Sequence, residues 1–349
     1  MIAEPYQRFF SSRREGCILK TTSQAPRMPH SLVLGVNGQD GSYLAEVLLS
    51  RGHHVVGVGR DPSSRYLTPS ESYRYVQLDV SDTEALAPLL RSLRLDHVFH
   101  FAVLHGASDF SYEPVWDQMI KTNVASLHTL LEHARTAAPD LRVVYAGSRK
   151  IFPEPLHGII DETTPTQATC LYSIGKMAAR DLIKHYVKHH RVRATNIVLF
   201  HHESPRRQPQ YLFPTIVHGI VAAKDDPAHR TKIKTLDFWI DWGAADEFMD
   251  IVADIAEQTD EPELILASGR TWYARTVAEQ LFKRYGLDAE RHLEEARPTS
   301  SPGEAFQVRL DRLERAIGRT PQKQVEDIAA SMIRAAERRA SEKQPMVHD

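Results

Sequence analysis

Tyr172 and Lys176 lie one helical turn apart in the run L-Y-S-I-G-K, which places a phenol and an ammonium on one face of a helix. Ser148 closes the apolar run R-V-V-Y-A-G-S that precedes them. A hydroxyl that holds a substrate oxygen, a phenol that gives or takes its proton and a cation that favours the phenolate together make a polar relay. Two surface residues of a helix would show the same spacing. The reading therefore depends on what surrounds the pair.

The elements around them must bring a strand end and a helix to one place. H-S-L-V-L-G, residues 30–35, is a short apolar strand, and G-V-N-G-Q-D-G-S-Y-L-A-E follows it directly. Gly35, Gly38 and Gly41 fall three apart between that strand and an amphipathic helix. There glycine lets the backbone turn and approach a pyrophosphate that faces the helix N-terminus. The second strand, H-V-V-G-V-G-R, ends in Gly59 and Arg60, where an acidic residue would bind the ribose hydroxyls of NAD. Arg60 suits the 2′-phosphate of NADP, while Asp61 beside it keeps NAD as the alternative.

Strands are expected over 75–82, with Asp79 toward the carboxyl end, over 97–103, over 141–148 and over 194–200, with helices between them. A long helix over 116–136 would carry Asn123, placed to bridge backbone near the site. The alternation predicts an α/β fold, a doubly wound parallel Rossmann sheet with helices on both faces. Ligands in such sheets bind beyond the carboxyl ends of the strands, where Gly35–Gly41, Asp79, Phe101–His105 and Ser148 all fall.

The 349 residues are 42% hydrophobic and 25% charged, an ordinary soluble composition, and the formal charge of −2 gives no reason to expect nucleic acid or an anionic membrane as partner. No run approaches the ~20 apolar residues of a membrane span. Cys17 and Cys170 have no metal-ligand spacing and fit a reducing, cytoplasmic compartment. His105, His157, His201 and His202 lack a carboxylate or cysteine partner at ligand spacing, so no metal is expected. Residues 1–29 lack the apolar core of a secretory signal and read as a flexible extension.

G-V-N-G-Q-D-G-S-Y-L-A-E, H-H-E-S-P-R-R (201–207), L-D-F-W-I-D-W-G (236–243) and L-A-S-G-R-T (266–271) resemble the GDP-mannose 4,6-dehydratase family of extended short-chain dehydrogenases. The resemblance runs over nearly the whole chain. It implies NADP-dependent oxidation at C4 of a nucleotide-bound hexose, loss of water across C5 and C6, and a GDP-linked substrate. It also implies a dimer or tetramer. Carried over by motif, the cofactor site comprises Gly35, Asn37, Gly38, Gln39, Asp40, Gly41, Arg60, Asp79, Val80, Phe101, Ala102, Val103, His105, Trp116, Tyr172, Lys176, His202 and Arg207. Tyr172 takes the C4 hydroxyl proton and Ser148 stands for the family's threonine. Ser148, His201, Glu203 and Arg297 face the substrate.

The departures lie on the sugar and nucleotide side. Lys150 occupies the position of the family's elimination glutamate, reversing its charge. It is either a lysine base with a depressed pKa or a solvated surface cation. His201 replaces an asparagine, Ile240 an arginine, and the apolar run 214–217 a lysine, while Arg297-Pro298 keeps a candidate diphosphate contact. C4 oxidation followed by dehydration thus stands against simpler C4 chemistry (epimerase, reductase or dehydrogenase). A non-catalytic nucleotide-binding homologue is the reading from another class. The dinucleotide-binding domain is expected over 30–200 and the substrate-binding part mainly over 201–338, crossing back to the sheet through a helix at 247–257 and a strand at 264–267. The last helix is expected over 325–336, with a mobile tail at 339–349.

Overall fold

The computed structural model describes residues 27–106, 109–297 and 303–343. Most of the expected N-terminal extension with Cys17, the end of the tail, and Pro298 lie outside them. β1 (His30–Leu34) is apolar and buried over its last four residues. It turns into α1 (Gln39–Ser50) and runs parallel to β2 (His54–Gly59). β3 (Tyr73–Gln77), α2 (Thr83–Ser92) and β4 (His97–His100) follow. Arg27 is ion-paired with Asp96 at 3.1 Å and Pro29 O accepts from His54 N, so this end of the expected extension is tied to the sheet.

The third strand stops before the expected Asp82 because its last residues serve the next turn. Asp79 accepts from Ser81 N at 3.0 Å, and Asp82 caps α2 by accepting from Ala85 N. The expected helix over 116–136 is divided into α3 (Trp116–Ile120), a π-helical turn over Lys121–Ala125, and α4 (Ser126–Thr136). β5 (Arg142–Ala146) is wholly buried. β6 (Gly158–Ile160), α5 (Leu171–His190), β7 (Ala194–Leu199) and β8 (His201–Glu203) come next.

The remaining chain comprises α6 (Leu212–Asp225), β9 (Thr231–Ile233), β10 (Trp239–Ala244), α7 (Ala245–Gln258), β11 (Glu263–Leu266), β12 (Thr271–Tyr273) and α8 (Ala274–Arg284). It ends with α9 (Ala289–His292), β13 (Leu293–Glu295), β14 (Phe306–Val308), α10 (Asp311–Ile317) and α11 (Val325–Lys343). α11 therefore continues past the residue where the tail was expected to begin.

Seven parallel strands form the main sheet in the order β11-β7-β5-β4-β1-β2-β3. Strands buried on both faces must be apolar throughout, which is why they read as continuous Val/Ile/Leu runs. On one face Leu44, Leu48, Phe248 and Val252 of α1 and α7 pack on Val33, Phe99 and Val144. On the other, Leu86, Leu127, Leu130 and Ile183 of α2, α4 and α5 pack on Leu32, Val58 and Val98. The strand order reverses between β1 and β4, which opens a crevice beyond their carboxyl ends. A separate core of Phe213, Trp242, Phe282, Ile328 and Met332 is built from the chain after Glu203. β8 and β10 pair parallel and bring the two cores together.

Candidate active site

A cleft of about 360 Å³ opens at that crevice. Gly35 has φ +88°, and a Cβ there would lie 2.6 Å from Ala102 N; a Cβ on Gly41 would lie 2.3 Å from Gly35 O. Side chains at these positions would push the strand ends and α1 apart, so the glycines shape a cradle at the α1 N-terminus. Asp40 in the first turn of α1 would repel a phosphate, but His202 Nε2 meets its carboxylate at 2.9 Å while His202 Nδ1 donates to Phe200 O at 2.7 Å. Burial opposes both charges. The pair nevertheless holds Asp40 below and His202 above their ordinary pKa values, so the two charges offset.

Gly35, Asn37, Gly38, Gln39, Asp40, Gly41, Arg60, Asp79, Val80, Phe101, Ala102, Val103, His105 and Arg207 all line the cleft. Trp116 does not; it packs in a cluster with Tyr112, Met119 and Tyr172. His202, Tyr172 and Lys176 are also outside the lining, beneath or beside it. Asp61, which the sequence placed beside Arg60, lines the cleft too, as do Arg65, Arg206 and Tyr211, whose spacing did not announce it. Asp61 is engaged by Asn37 Nδ2 at 2.9 Å and Arg65 Nε at 2.7 Å. A glycine cradle, a helix N-terminus with its acidic charge offset and Arg60 at the far end together fit a dinucleotide.

The relay stands behind His105, which lines the cleft and packs on Tyr172; none of Ser148, Tyr172 and Lys176 is in the lining itself. The Ser148 hydroxyl acts on the Tyr172 phenol in the direction that favours the phenolate. Lys176 is buried, with Nζ donating to Ala146 O at 2.6 Å and to Tyr145 OH at 3.1 Å. Tyr145 in turn donates to Asn123 O at 2.8 Å. The π turn swings Asn123 inward, where its side chain accepts from Leu104 N at 3.0 Å and donates to Leu104 O at 3.4 Å. Tyr145 was invisible in the sequence because it reads as one more apolar strand residue.

Burial lowers Lys176 to about 7. Burial likewise raises Tyr172 well above its ordinary value, with Ser148 only partly opposing it. The expectation that the ammonium lowers the phenol is therefore overturned in this state: Lys176 points at Ala146 O and Tyr145, and desolvation dominates both groups. His105 lies over Tyr172, ring centroids 4.4 Å apart, and its Nδ1 shares a 2.6 Å hydrogen bond with Tyr112 OH. Burial first, then Arg207, Lys176 and Lys150, push His105 down to about 3, so it is neutral.

The side beyond Ser148 is cationic. Ser148 caps a short 3₁₀ turn, Arg149–Ile151, by accepting from Lys150 N at 3.3 Å. Lys150 Nζ donates to both Glu154 oxygens at 2.8 and 2.7 Å, and Arg149 Nη1 donates to Glu154 Oε1 at 2.8 Å. The Nε–Nη2 edge of Arg149 meets His201 Nε2 at 3.4 Å, and His201 is held neutral, first by burial and then by Arg149, Arg207 and Lys150. Glu203 Oε2 is buried 3.5 Å from Arg207 Nε with no hydrogen bond, and burial raises its pKa. Arg297 is not among the residues lining the cleft; its backbone N donates to Lys234 O. Among the described residues no group of three or more His, Cys, Asp or Glu could hold a metal, and no helix could cross a membrane.

Solved structures with this fold include a UDP-glucose 4-epimerase from Thermotoga maritima with UDP-glucose. It is 16% identical, with a TM-score of 0.76 over 90% of this chain and 100% of that one. A dTDP-glucose 4,6-dehydratase from Bacillus anthracis in complex with NAD is also 16% identical, with a TM-score of 0.76 over 90% and 98%. The fold is thus that of the extended short-chain dehydrogenases that act as nucleotide-sugar epimerases and dehydratases. A family model described as GDP-mannose 4,6 dehydratase matches residues 32–322, and the chain belongs to that family. A GDP-mannose 4,6-dehydratase of Sordaria araneosa is 27% identical over 77% of this chain, the match spanning half of that relative's length.

Proposed function

We propose that the chain is an NADP-dependent enzyme, with NAD as the alternative, that oxidises the C4 hydroxyl of a hexose carried on a nucleoside diphosphate, GDP by family membership. The observation that carries this reading is the Tyr172 phenol, acted on by Ser148 and with buried Lys176 beneath it, packed against His105, which lines a glycine-floored cleft. Gly35–Gly41 and Arg60 would hold the dinucleotide, which when bound supplies the hydride acceptor. Ser148 would hold the C4 oxygen and Tyr172 accept its proton. His105 and Tyr112 keep water from that phenol.

Lys150, bound at both oxygens of Glu154, supplies no carboxylate for elimination. This supports chemistry confined to C4 (an epimerase, reductase or dehydrogenase) over the 4,6-dehydration that the family name suggests. Incubation with NADP or NAD and a panel of nucleotide sugars separates them. A C4 epimer or accumulating NADPH is expected; a 4-keto-6-deoxy product with no net cofactor change would establish dehydration instead. A non-catalytic homologue would give no turnover with any sugar and would be indifferent to Tyr172→Phe.

For the cofactor, Asp61 is engaged by Asn37 and Arg65, which leaves Arg60 as the cation for a 2′-phosphate. Arg60→Ala should raise KM for NADP at least tenfold while moving that for NAD less than threefold. Equal losses for both would show that Arg60 does not choose between them.

A further inference from the structure

The side of the cleft beyond Ser148 carries more positive charge than its own carboxylates offset. Arg149, Lys150 and Arg207 all act electrostatically on His201, and Glu154 and Glu203 are the carboxylates paired with them. Lys150 and Arg207 also act on His105, which stacks on Tyr172, and of these cations Arg207 lines the cleft.

The arrangement of donors is more telling than the count. Arg149 is 15% exposed, and only its Nη1 has a carboxylate partner. Its Nε–Nη2 edge, two parallel N–H donors, faces one neutral imidazole nitrogen at 3.4 Å, too long for a good hydrogen bond. That edge is the part of a guanidinium that matches the two oxygens of a carboxylate. Lys150 spends two of its three N–H donors on Glu154. The two residues that follow Ser148 thus carry an under-used bidentate donor edge and a spare ammonium proton.

We propose that the sugar of the substrate carries a carboxylate at C6: the chain acts on a nucleoside-diphosphate hexuronate, bound through Arg149 and Lys150. The inference rests on C4 oxidation as proposed above and names its substrate class. With Ser148 and Tyr172 on the C4 oxygen, residues 149 and 150 follow directly along the chain, within reach of the substituent on the neighbouring ring carbon. A sugar oxidised at C6 has no C6 hydroxyl to lose as water. An elimination base at position 150 would be idle, and a cation there is favourable. Charge reversal at Lys150 and the open edge of Arg149 then have one cause.

UDP-glucose and UDP-glucuronate, and likewise GDP-mannose and GDP-mannuronate, share their diphosphate and differ in the C6 charge. Calorimetric binding to the full chain in the presence of NAD or NADP isolates that difference. Within a pair the uronate should bind at least tenfold more tightly, and the preference should narrow as salt is raised. Lys150→Gln, a change at a part-exposed side chain, should cut it to threefold or less, and Arg149→Gln should do the same if that variant folds. Equal affinity, or preference for the neutral sugar, overturns the inference; if the neutral sugar is also oxidised, C4 oxidation stands without it. A preference that survives Lys150→Gln at full size overturns the assigned contact. No binding of either sugar and no reduced cofactor would overturn both readings together.

Discussion

The two flanks of the cleft each hold a lysine close to the Ser148–Tyr172 pair, and the protein treats them in opposite ways. Lys176, on the flank toward the sheet, is buried beneath Tyr172 with donors fixed on Ala146 O and Tyr145 OH. Lys150, on the side beyond Ser148, is part-exposed and satisfied by a carboxylate four residues on. Burial pushes the first down to about 7, against an ordinary 10.5. One lysine is therefore buried beneath a phenol at the expense of stability. The other spends two of its donors on Glu154.

The hardest way to break the contrast is at the phenol that Lys176 supports. Tyr172→Phe should lower turnover by roughly 10²–10⁴-fold, the usual worth of a positioned proton-transfer group, with dinucleotide binding retained. A loss below threefold would remove Tyr172 from the chemistry. Next comes the pH dependence of stability. Because the folded pKa of Lys176 is depressed, the cost of burying its ammonium is full below about pH 7 and is relieved as pH rises from 7 toward 10.5. Relative to Lys176→Met, the wild-type protein should gain on the order of 2–4 kcal/mol between pH 7 and 10. Urea unfolding at a series of pH values reads it, and parallel curves for the two proteins would refute the shift.

Gly41→Ala tests the cradle on the same flank. Its Cβ would meet Gly35 O at 2.3 Å, so backbone must move; dinucleotide affinity should fall at least tenfold by fluorescence titration, and unchanged affinity would show the cradle to be slack. The smallest effect belongs to the other lysine. Lys150 and Glu154 are 34% and 29% exposed, and Lys150→Ala should cost no more than about 1 kcal/mol of stability, read as a shift in urea midpoint. A larger cost would mean that the pair holds the 3₁₀ turn in place.

How much of this could be read without coordinates differs by flank. The cradle was legible because glycine at 35 and 41 is a backbone requirement, and because parallel strands buried on both faces must be apolar end to end. The sheet followed from the same runs. Strand ends were harder, since Asp79 and Asp82 look like strand residues until their side chains are seen bonding the following turn. The break in the 116–136 helix had no sequence sign. On the sugar side Lys150 was conspicuous, but its partner Glu154 and the edge of Arg149 depend on how a short turn aims three side chains. Spacing along the chain does not encode that. The depressed phenol expected from the Tyr172–Lys176 spacing failed for a related reason, since spacing carries no information about desolvation.

The π turn at Lys121–Ala125 has a consequence for anyone rebuilding this protein. Asn123 holds the backbone of Leu104 with its side chain and the Tyr145 hydroxyl with its carbonyl, and Tyr145 anchors Lys176. The segment that floors the cleft after β4 and the lysine under the phenol are thus wired to a single residue. Grafting a new loop at 101–106 to widen the range of accepted sugars would have to keep that junction, or the donor loop would detune the proton relay it was meant to serve.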